Sequence, residues 1–209
     1  MTPIDDYART RESLHAVAEQ VLAGPEYLRS KTIRLTPVPG GFATVAAPNL
    51  AVREDILLLD GEPVGKLHGA TIVELAAAAG VEPGMPDGVY ASRTGYDPNA
   101  PLWVDARHSR TLTRAYELGE AALCAVAPER TPTLWPEHFD LGIDLDQVNY
   151  GVSPGDSTIA EPYAYVGPWT TRTGDFWNQS FGAARTIAEL GSLEALTDFF
   201  AEGRRRAAE

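Results

Sequence analysis

The sequence predicts an α+β fold in which helices flank a mainly antiparallel sheet. The predicted elements run helix, hairpins, helix, long loop, helix, strands, helix, and this order lacks the regular βαβ alternation of parallel sheets. Short turn signals separate the early strands, and such turns join antiparallel neighbours. A chain of 209 residues with 44% hydrophobic composition can bury a sizeable core, so we expect a single domain over residues 1–209.

The first predicted elements are a helix and a hairpin. Apolar residues recur at helical spacing from Ile4 to about Ala23, and Gly24-Pro25 should end this helix. Residues 32–36 and 42–46 then carry strand-forming side chains on either side of a segment rich in Pro and Gly. These two runs predict an antiparallel pair.

A second hairpin is predicted directly afterwards. Its strands cover residues 52–59 and 63–67, and Asp60-Gly61 lies between them. This dipeptide tolerates the positive φ angles of a tight hairpin turn. We therefore expect four antiparallel strands after the first helix.

A short helix and a long loop follow. Thr71 and Glu74 have the spacing of a capping box, so Thr71 should begin a helix that Gly80 ends. Residues 81–105 contain four Pro and three Gly and show no sustained period. A loop of that length in a compact domain is usually functional or disordered, and its three large aromatic residues favour order. We interpret it as an ordered flap over a site.

The second half of the chain predicts a long helix, several strands and a terminal helix. Apolar residues line one side of residues 112–126, and Pro128 lies beyond the helix end. Residues 133–169 are rich in strand formers, and Ser192 should cap a final helix that includes Phe200.

Charge and cysteine usage exclude several classes of partner. The chain has 17 basic and 29 acidic residues, a formal net charge of −12, so its field repels phosphates and anionic lipid. We expect neither a nucleic-acid nor a membrane partner, and interpret residues 204–206, three Arg in a row, as complementing a helix end. The single Cys124 permits no intramolecular disulfide, and the polar start does not resemble a signal peptide, so we expect a cytoplasmic protein. The preference for Arg over Lys, with abundant Ala, Gly and Pro, is typical of GC-rich bacterial genomes.

The segment of residues 131–171 has the most unusual composition in the chain. It contains six carboxylates and no Lys or Arg. Within it, residues 138–146 alternate strictly between polar and apolar side chains, which predicts a strand with one acidic face. His138 and Asp140 would be about 7 Å apart on that face and could converge on one ligand. Asp144 and Asp146 would form a second pair.

Three interpretations of this acidic face stay open. His138, oriented by Asp140, is a candidate general base, with Glu137 or Tyr150 as a helper. The same two residues could supply part of a divalent-metal site, although no recognised metal-ligand spacing occurs in the chain. The third interpretation is a solvated face whose carboxylates pair with Arg on a neighbouring strand, each pair contributing at most about 1 kcal/mol.

The Gly151-x-Ser153-x-Gly155 sequence matches the nucleophile elbow of α/β-hydrolases only formally. The oxyanion hole of an elbow uses the N–H of the residue after the nucleophile, and Pro154 has none. No His follows Ser153 in the chain. We interpret the segment as a turn in which Gly155 takes a positive φ.

Aromatic residues are concentrated in the same part of the chain and favour a small-molecule site. Tyr163 and Tyr165 should share a strand face, with their hydroxyl groups pointing in a common direction. His15, His68 and His108 are interpreted as packing or capping residues. The expected ligand-binding residues are Trp135, Glu137, Asp144, Tyr150, Tyr163, Tyr165 and Trp177.

The chain also shows a distant resemblance to a bacterial family, domain-of-unknown-function family 5996. The resemblance lies in Leu14-His15, Leu59-Asp60-Gly61 and Leu134-Trp135, with the further motifs Pro37 to Thr44, Phe139-Asp140-Leu141 and Pro162-Tyr163-Ala164-Tyr165. It implies a related fold and transfers no activity, because the function of that family is unassigned.

Together these observations predict that the protein binds a small neutral or cationic molecule in a pocket lined by residues 135–177. In the enzyme version of this hypothesis, His138 with Asp140 performs the catalysis. The alternatives are a non-catalytic structural or interaction protein and a divalent-metal-binding protein. No cofactor, substrate or oligomeric state follows from the pattern.

Overall fold

The computed structural model describes residues 3–209, and its side chains from Asp6 onward. It confirms the α+β class, with helices and antiparallel strands. The chain divides into two compact units, the described part of Met1–Arg114 with Leu134–Phe139, and Ala115–Thr133 with Asp140–Glu209. The single-domain expectation stays a prediction. Met1 and Thr2, part of the segment used to argue against a signal peptide, lie outside the described residues.

The first unit begins with a helical run that is longer than predicted. Helix α1 covers Pro3–Val17, a π-helix covers Ala18–Ala23, and α2 covers Gly24–Ser30. The predicted stop at Gly24-Pro25 is wrong, because the backbone of Ala23 and Gly24 stays in the right-handed helical region and the run continues through Pro25 into α2. Gly24 leaves room for the backbone of Gly84, because a Cβ at position 24 would lie 2.1 Å from the Gly84 carbonyl oxygen.

Six strands form the antiparallel sheet of the first unit, in the order β6, β1, β2, β3, β4, β5. The predicted strand over residues 52–59 is wrong, because Glu54 has φ +53° and turns the chain in its middle. The Asp60-Gly61 turn is confirmed, with φ angles of 51° and 85°. The bounds are β1 Leu35–Val38, β2 Gly41–Thr44, β3 Leu50–Arg53, β4 Ile56–Leu59, β5 Glu62–Lys66 and β6 Thr133–Trp135.

The capped helix after this sheet is confirmed in detail. Helix α3 covers Ile72–Ala79, and the Thr71 hydroxyl accepts the Glu74 N–H while the Glu74 carboxylate accepts the Thr71 N–H. Gly80 ends the helix with φ +65°. Local sequence alone therefore determines both ends of this element.

The loop of residues 81–105 has no helix or strand until α4 begins at Ala106, yet many hydrogen bonds hold it. Near its start, the Gly84 N–H donates to the Gln20 carbonyl oxygen at 2.8 Å. Near its end, the Trp103 N–H donates to the Ser13 hydroxyl at 2.9 Å, and the Asp105 N–H donates to the Thr10 hydroxyl at 3.1 Å. The loop is thus fastened to the first helical run along its length.

The second unit has four antiparallel strands in the order β10, β9, β8, β7. The Ser192 cap of α6 is confirmed, because its hydroxyl accepts the Ala195 N–H. Strand β10 and the short helix α5 were not predicted. The bounds are α4 Ala106–Val126, whose residues from Ala115 onward belong here, β7 Asp140–Leu145, β8 Val148–Ser153, β9 Tyr163–Pro168, β10 Ala183–Thr186, α5 Ile187–Leu190 and α6 Leu193–Ala207.

The sheet of the second unit packs one face on helices. A Cβ at Gly119 of α4 would meet Val152, and a Cβ at Gly203 of α6 would meet Val166. On β9 the side chains of Tyr163 and Tyr165 alternate with this helix-covered face and point to the other one. None of the helices within residues 3–209 combines the length and the apolar character that a membrane crossing requires.

Candidate functional site

The helical run of the first unit carries His15 in α1 and, four residues later, Glu19 in the π-helix. Glu19 lies in the π-helix and is only 2% exposed. Such wide turns interrupt α-helices rarely and occur frequently at functional sites. The π-helix thus makes the part of the run around Glu19 a candidate functional region.

His15 clamps the turn of residues 136–139 against α1. Its Nε2 lies 2.7 Å from the Pro136 carbonyl oxygen, and its ring stacks on Phe139 with centroids 5.2 Å apart. Burial, opposed by the bond to Pro136, lowers the His15 pKa to about 4, and repulsion from His138 and Arg11 contributes. The imidazole is therefore neutral at pH 7, and its Nε2–H is the donor to Pro136.

Tyr90 of the loop over residues 81–105 carries the most unusual polar atom of the site. Its hydroxyl is buried and has no hydrogen-bond partner among the described residues. Burial raises the pKa of the phenol well above its usual value; the charges of Glu19 and Glu137 raise it further, and that of Arg93 lowers it. The phenol is therefore a hydrogen-bond donor at neutral pH, within electrostatic range of two carboxylates.

The charged neighbours of Tyr90 also hold the loop in place. The Glu19 carboxylate accepts the Thr94 N–H at 2.8 Å. The Arg93 guanidinium donates to the carbonyl oxygens of Met85 and Pro86 and lies 3.2 Å from the Asp87 carboxylate. Because Arg93 is committed to these partners, the two carboxylates near Tyr90 favour a ligand with hydrogen-bond donors or positive charge.

The structure corrects the strand predicted over residues 138–146. Strand β7 begins at Asp140, and His138 lies in the preceding turn because Phe139 has φ +54°. Stacking on His15 and an edge contact with Phe42, with centroids 5.3 Å apart, hold Phe139 in that conformation. The alternation on which the pairing of His138 with Asp140 rested does not reach His138. Its assignment as a general base stays a prediction.

The other end of the predicted strand also turns early. Asp146 and Gln147 have φ angles of 54° and 62°, which form the tight turn between β7 and β8. The Asp146 carboxylate lies 3.8 Å from the Arg204 guanidinium, whereas Asp144 is exposed on β7. Asp144 and Asp146 are therefore not a pair on one strand face.

In the second unit, Asp140 is joined to Tyr165. The Tyr165 hydroxyl donates to the Asp140 carboxylate, and burial followed by the Asp140 charge raises the Tyr165 pKa well above its usual value. The neighbouring Tyr163 hydroxyl donates to Asp156 at 2.7 Å. The two rings are 6.4 Å apart, so this face carries two adjacent phenol–carboxylate pairs.

Two glycines make room for the Tyr165 ring on the same face. A Cβ at Gly151 would lie 2.5 Å from the Tyr165 hydroxyl oxygen, and a Cβ at Gly142 would lie 3.1 Å from it. The side chain that approaches Gly142 is therefore Tyr165 of the protein itself. Both phenol hydroxyls already have carboxylate partners, unlike the hydroxyl of Tyr90.

The remaining predicted site residues Trp135, Tyr150 and Trp177 each contact an aromatic or basic side chain. Tyr150 is 1% exposed and packs its ring edge against Phe200; burial raises its pKa to about 12. Trp177 contacts Phe176 edge to face, with centroids 4.9 Å apart. In the first unit, Trp135 is 36% exposed and lies beneath the Arg34 guanidinium.

The structure supports the rejection of Ser153 as an elbow nucleophile. Gly155 has φ +98°, as expected, and its N–H donates to the Ser153 hydroxyl at 3.1 Å. Residues 156–162 form no helix, so the strand-to-helix turn of an elbow is missing from this part of the described chain.

Sequence reasoning missed Glu19 and Tyr90 and assigned His15 to packing. The signals were weak: a carboxylate four residues after a His on a helix, and an aromatic residue in a long ordered loop. Within residues 3–209, no group of three or more His, Cys, Asp or Glu is arranged to hold a metal ion.

Comparisons with known proteins add no homologue to this description. The resemblance to the bacterial family stays an expectation from sequence. No family model matches the chain, and neither the curated proteins nor the solved structures gave a significant match.

Proposed function

We propose that the protein binds a small neutral or cationic molecule in its first unit, in contact with the Tyr90 hydroxyl. The observation that supports this is the hydroxyl itself, which is buried and has no hydrogen-bond partner among the described residues. Buried tyrosine hydroxyls normally have a partner, because an unpaired one loses its bond to water without replacement. A ligand atom would satisfy it.

The charges around Tyr90 narrow the chemistry of that ligand. The protonated phenol offers a hydrogen to an acceptor, while Glu19 and Glu137 attract a donor or a positive group. A hydroxyl is both donor and acceptor, and an ammonium supplies the charge. The proposed ligand is therefore a small alcohol or amine.

An enzymatic version of the proposal uses the turn that His15 clamps. Glu137 and His138 are consecutive in that turn. The charge of Glu137 raises the pKa of Tyr90, and that of His138 lowers the pKa of His15, so each interacts electrostatically with a group of the site. In this version His138 is the general base and Glu137 its helper. The Asp140 carboxylate, first assigned to orient His138, also accepts the Tyr165 hydroxyl, and its part in the catalysis stays a prediction. The proposal includes a cytoplasmic location, in keeping with the single cysteine.

Tyr90→Phe tests the proposal. Without ligand, we expect this variant to be more stable than the wild type by about 1 kcal/mol, because it removes an unpaired buried polar group. With ligand, we expect it to lose the stabilisation seen in the wild type, which amounts to about 2.7 kcal/mol at a hundred times Kd. The measurement is thermal unfolding with ethanolamine, which carries an ammonium and a hydroxyl, and glycerol, which carries hydroxyls only, as probes.

Tyr96→Phe is the matched control, because Tyr96 lies in the same loop and its hydroxyl already donates to the Pro101 carbonyl oxygen at 3.0 Å. This variant should be slightly less stable than the wild type and keep the response to the probes. The proposal fails if no probe shifts the wild-type melting temperature. It also fails if Tyr90→Phe responds to the probes as the wild type does, which would favour a non-catalytic structural protein.

A further inference from the structure

Glu26 in the first turn of α2 is a fully buried acid, with 0% of its surface exposed. Its Oε1 accepts the Ala46 N–H at 2.6 Å, and a further backbone bond comes from Val45. Its Oε2 is buried and has no hydrogen-bond partner among the described residues. A charged carboxylate with one unpaired oxygen is costly in such a place.

The charged side chains on the elements around Glu26 are exposed or interact with other groups. The loop between β2 and β3, residues 45–49, contains no titratable side chain. On α2 itself, Arg29 is exposed, and the Lys31 ammonium after the helix lies over the Tyr27 ring. In the preceding π-helix, the Glu19 carboxylate accepts the Thr94 N–H. Within the described part of the chain, the charge of Glu26 is therefore opposed by burial and supported by two backbone N–H groups.

We propose that Glu26 is a proton-operated latch between α2 and the loop of residues 45–49. As a neutral acid it holds the loop against α2, and as a carboxylate it lets the loop move away. The neutral acid accepts the Ala46 N–H and needs no solvation of charge. The carboxylate gains most by recovering water at its unpaired oxygen, and it can do so when the loop moves away. This proposal does not depend on the ligand site at Tyr90.

The direction of the pH dependence follows from proton binding. Burial outweighs the two backbone bonds and raises the Glu26 pKa from 4.5 to about 7. The folded state therefore binds this proton more tightly than the unfolded state, and the stabilisation is lost as pH rises from about 4.5 through about 7. His15 acts in the opposite sense, because its lowered pKa reduces stability as pH falls from 6.5 to about 4. The two slopes offset each other in the wild type.

Amide hydrogen exchange of the loop, expressed as protection factors, separates Glu26 from His15. From pH 6 to pH 8 we expect the protection of Ala46 and its neighbours to fall about tenfold in the wild type, because an open loop lets Glu26 ionise with its usual pKa. Glu26→Gln should show no such fall. Glu62→Gln, an exposed carboxylate on β5 of the same sheet, should behave as the wild type does.

A carbon-13 NMR titration of the Glu26 carboxyl group in the wild type covers the case in which Glu26→Gln does not fold. A midpoint near 7 supports the latch, and a midpoint near 4.5 overturns it. Equal loop protection at pH 6 and pH 8 in the wild type overturns it too, as does a tenfold fall that persists in Glu26→Gln.

Discussion

Gly24→Ala is expected to destabilise the first unit by at least about 3 kcal/mol, the upper part of the range for overpacked sites. The new Cβ would lie 2.1 Å from the Gly84 carbonyl oxygen, a backbone atom that cannot rotate away. The loop of residues 81–105 would have to separate from the helical run. We expect early proteolytic cleavage in this loop and a lower free energy of unfolding in urea.

Gly65→Ala is the control for this effect in the same unit. Its Cβ would lie 2.9 Å from a methyl carbon of Leu75, the end of a flexible side chain that can move. We expect a loss below about 1 kcal/mol there. Equal stability of the two variants would contradict the close packing of Gly24 against Gly84.

Gly151→Ala should have a comparable effect on the second unit. Its Cβ would lie 2.4 Å from the Leu141 carbonyl oxygen and 2.5 Å from the Tyr165 hydroxyl oxygen. The ring must leave the face, and its hydrogen bond to Asp140 is lost. We expect the free energy of unfolding to fall by about 3 kcal/mol or more. Chemical denaturation, followed by circular dichroism, measures it.

Two further variants separate the causes of that loss. Gly167→Ala, on β9 of the same sheet, places its Cβ in ordinary contact, 3.4 Å from the Phe181 carbonyl oxygen, and should be nearly neutral. The double variant Gly151→Ala with Tyr165→Ala removes the ring but not the Leu141 contact. When Tyr165 is already replaced by Ala, Gly151→Ala should therefore lower the free energy of unfolding by less than it does in the wild type. A purely additive result would show that the ring does not lie over Gly151.

Elements with strong local chemistry were predictable from sequence. The capping box of Thr71 with Glu74, the Asp60-Gly61 turn and the Ser192 cap involve residues at most three apart. Their hydrogen bonds or φ angles depend little on the rest of the fold. The apolar face of β7 followed from alternation for the same reason.

The incorrect boundaries depend on contacts between distant residues. Phe139 takes a positive φ, and the rings packed against it belong to His15 and Phe42, which are far from it in sequence. Pro25 reads as a helix stop, yet the helical run continues through it, and there the Gln20 carbonyl oxygen accepts the N–H of the distant Gly84. Tertiary contacts accompany the departure from local preference at both places.

The candidate site was only partly predictable for the same reason. Glu137 and His138 stood out through composition and spacing. Glu19 and Tyr90 did not, because 71 positions of the chain separate them and only the folded loop brings them together. Conversely, Asp140 stood out in the sequence, and its hydrogen bond comes from Tyr165, a residue 25 positions later.

The π-helix of Ala18–Ala23 sets the direction in which the side chains of the first helical run point, and that direction depends on how many residues the π-helix contains. A wide turn holds one residue more than the α-helical turn it replaces, and each residue of an α-helix advances the chain by about 100°. Deleting Ala18 would let this stretch wind as an ordinary α-helix and would turn Glu19 away from its present direction relative to His15. The arrangement of acid and imidazole is therefore set by a count of residues, and length changes in this helix should be tolerated less well than substitutions.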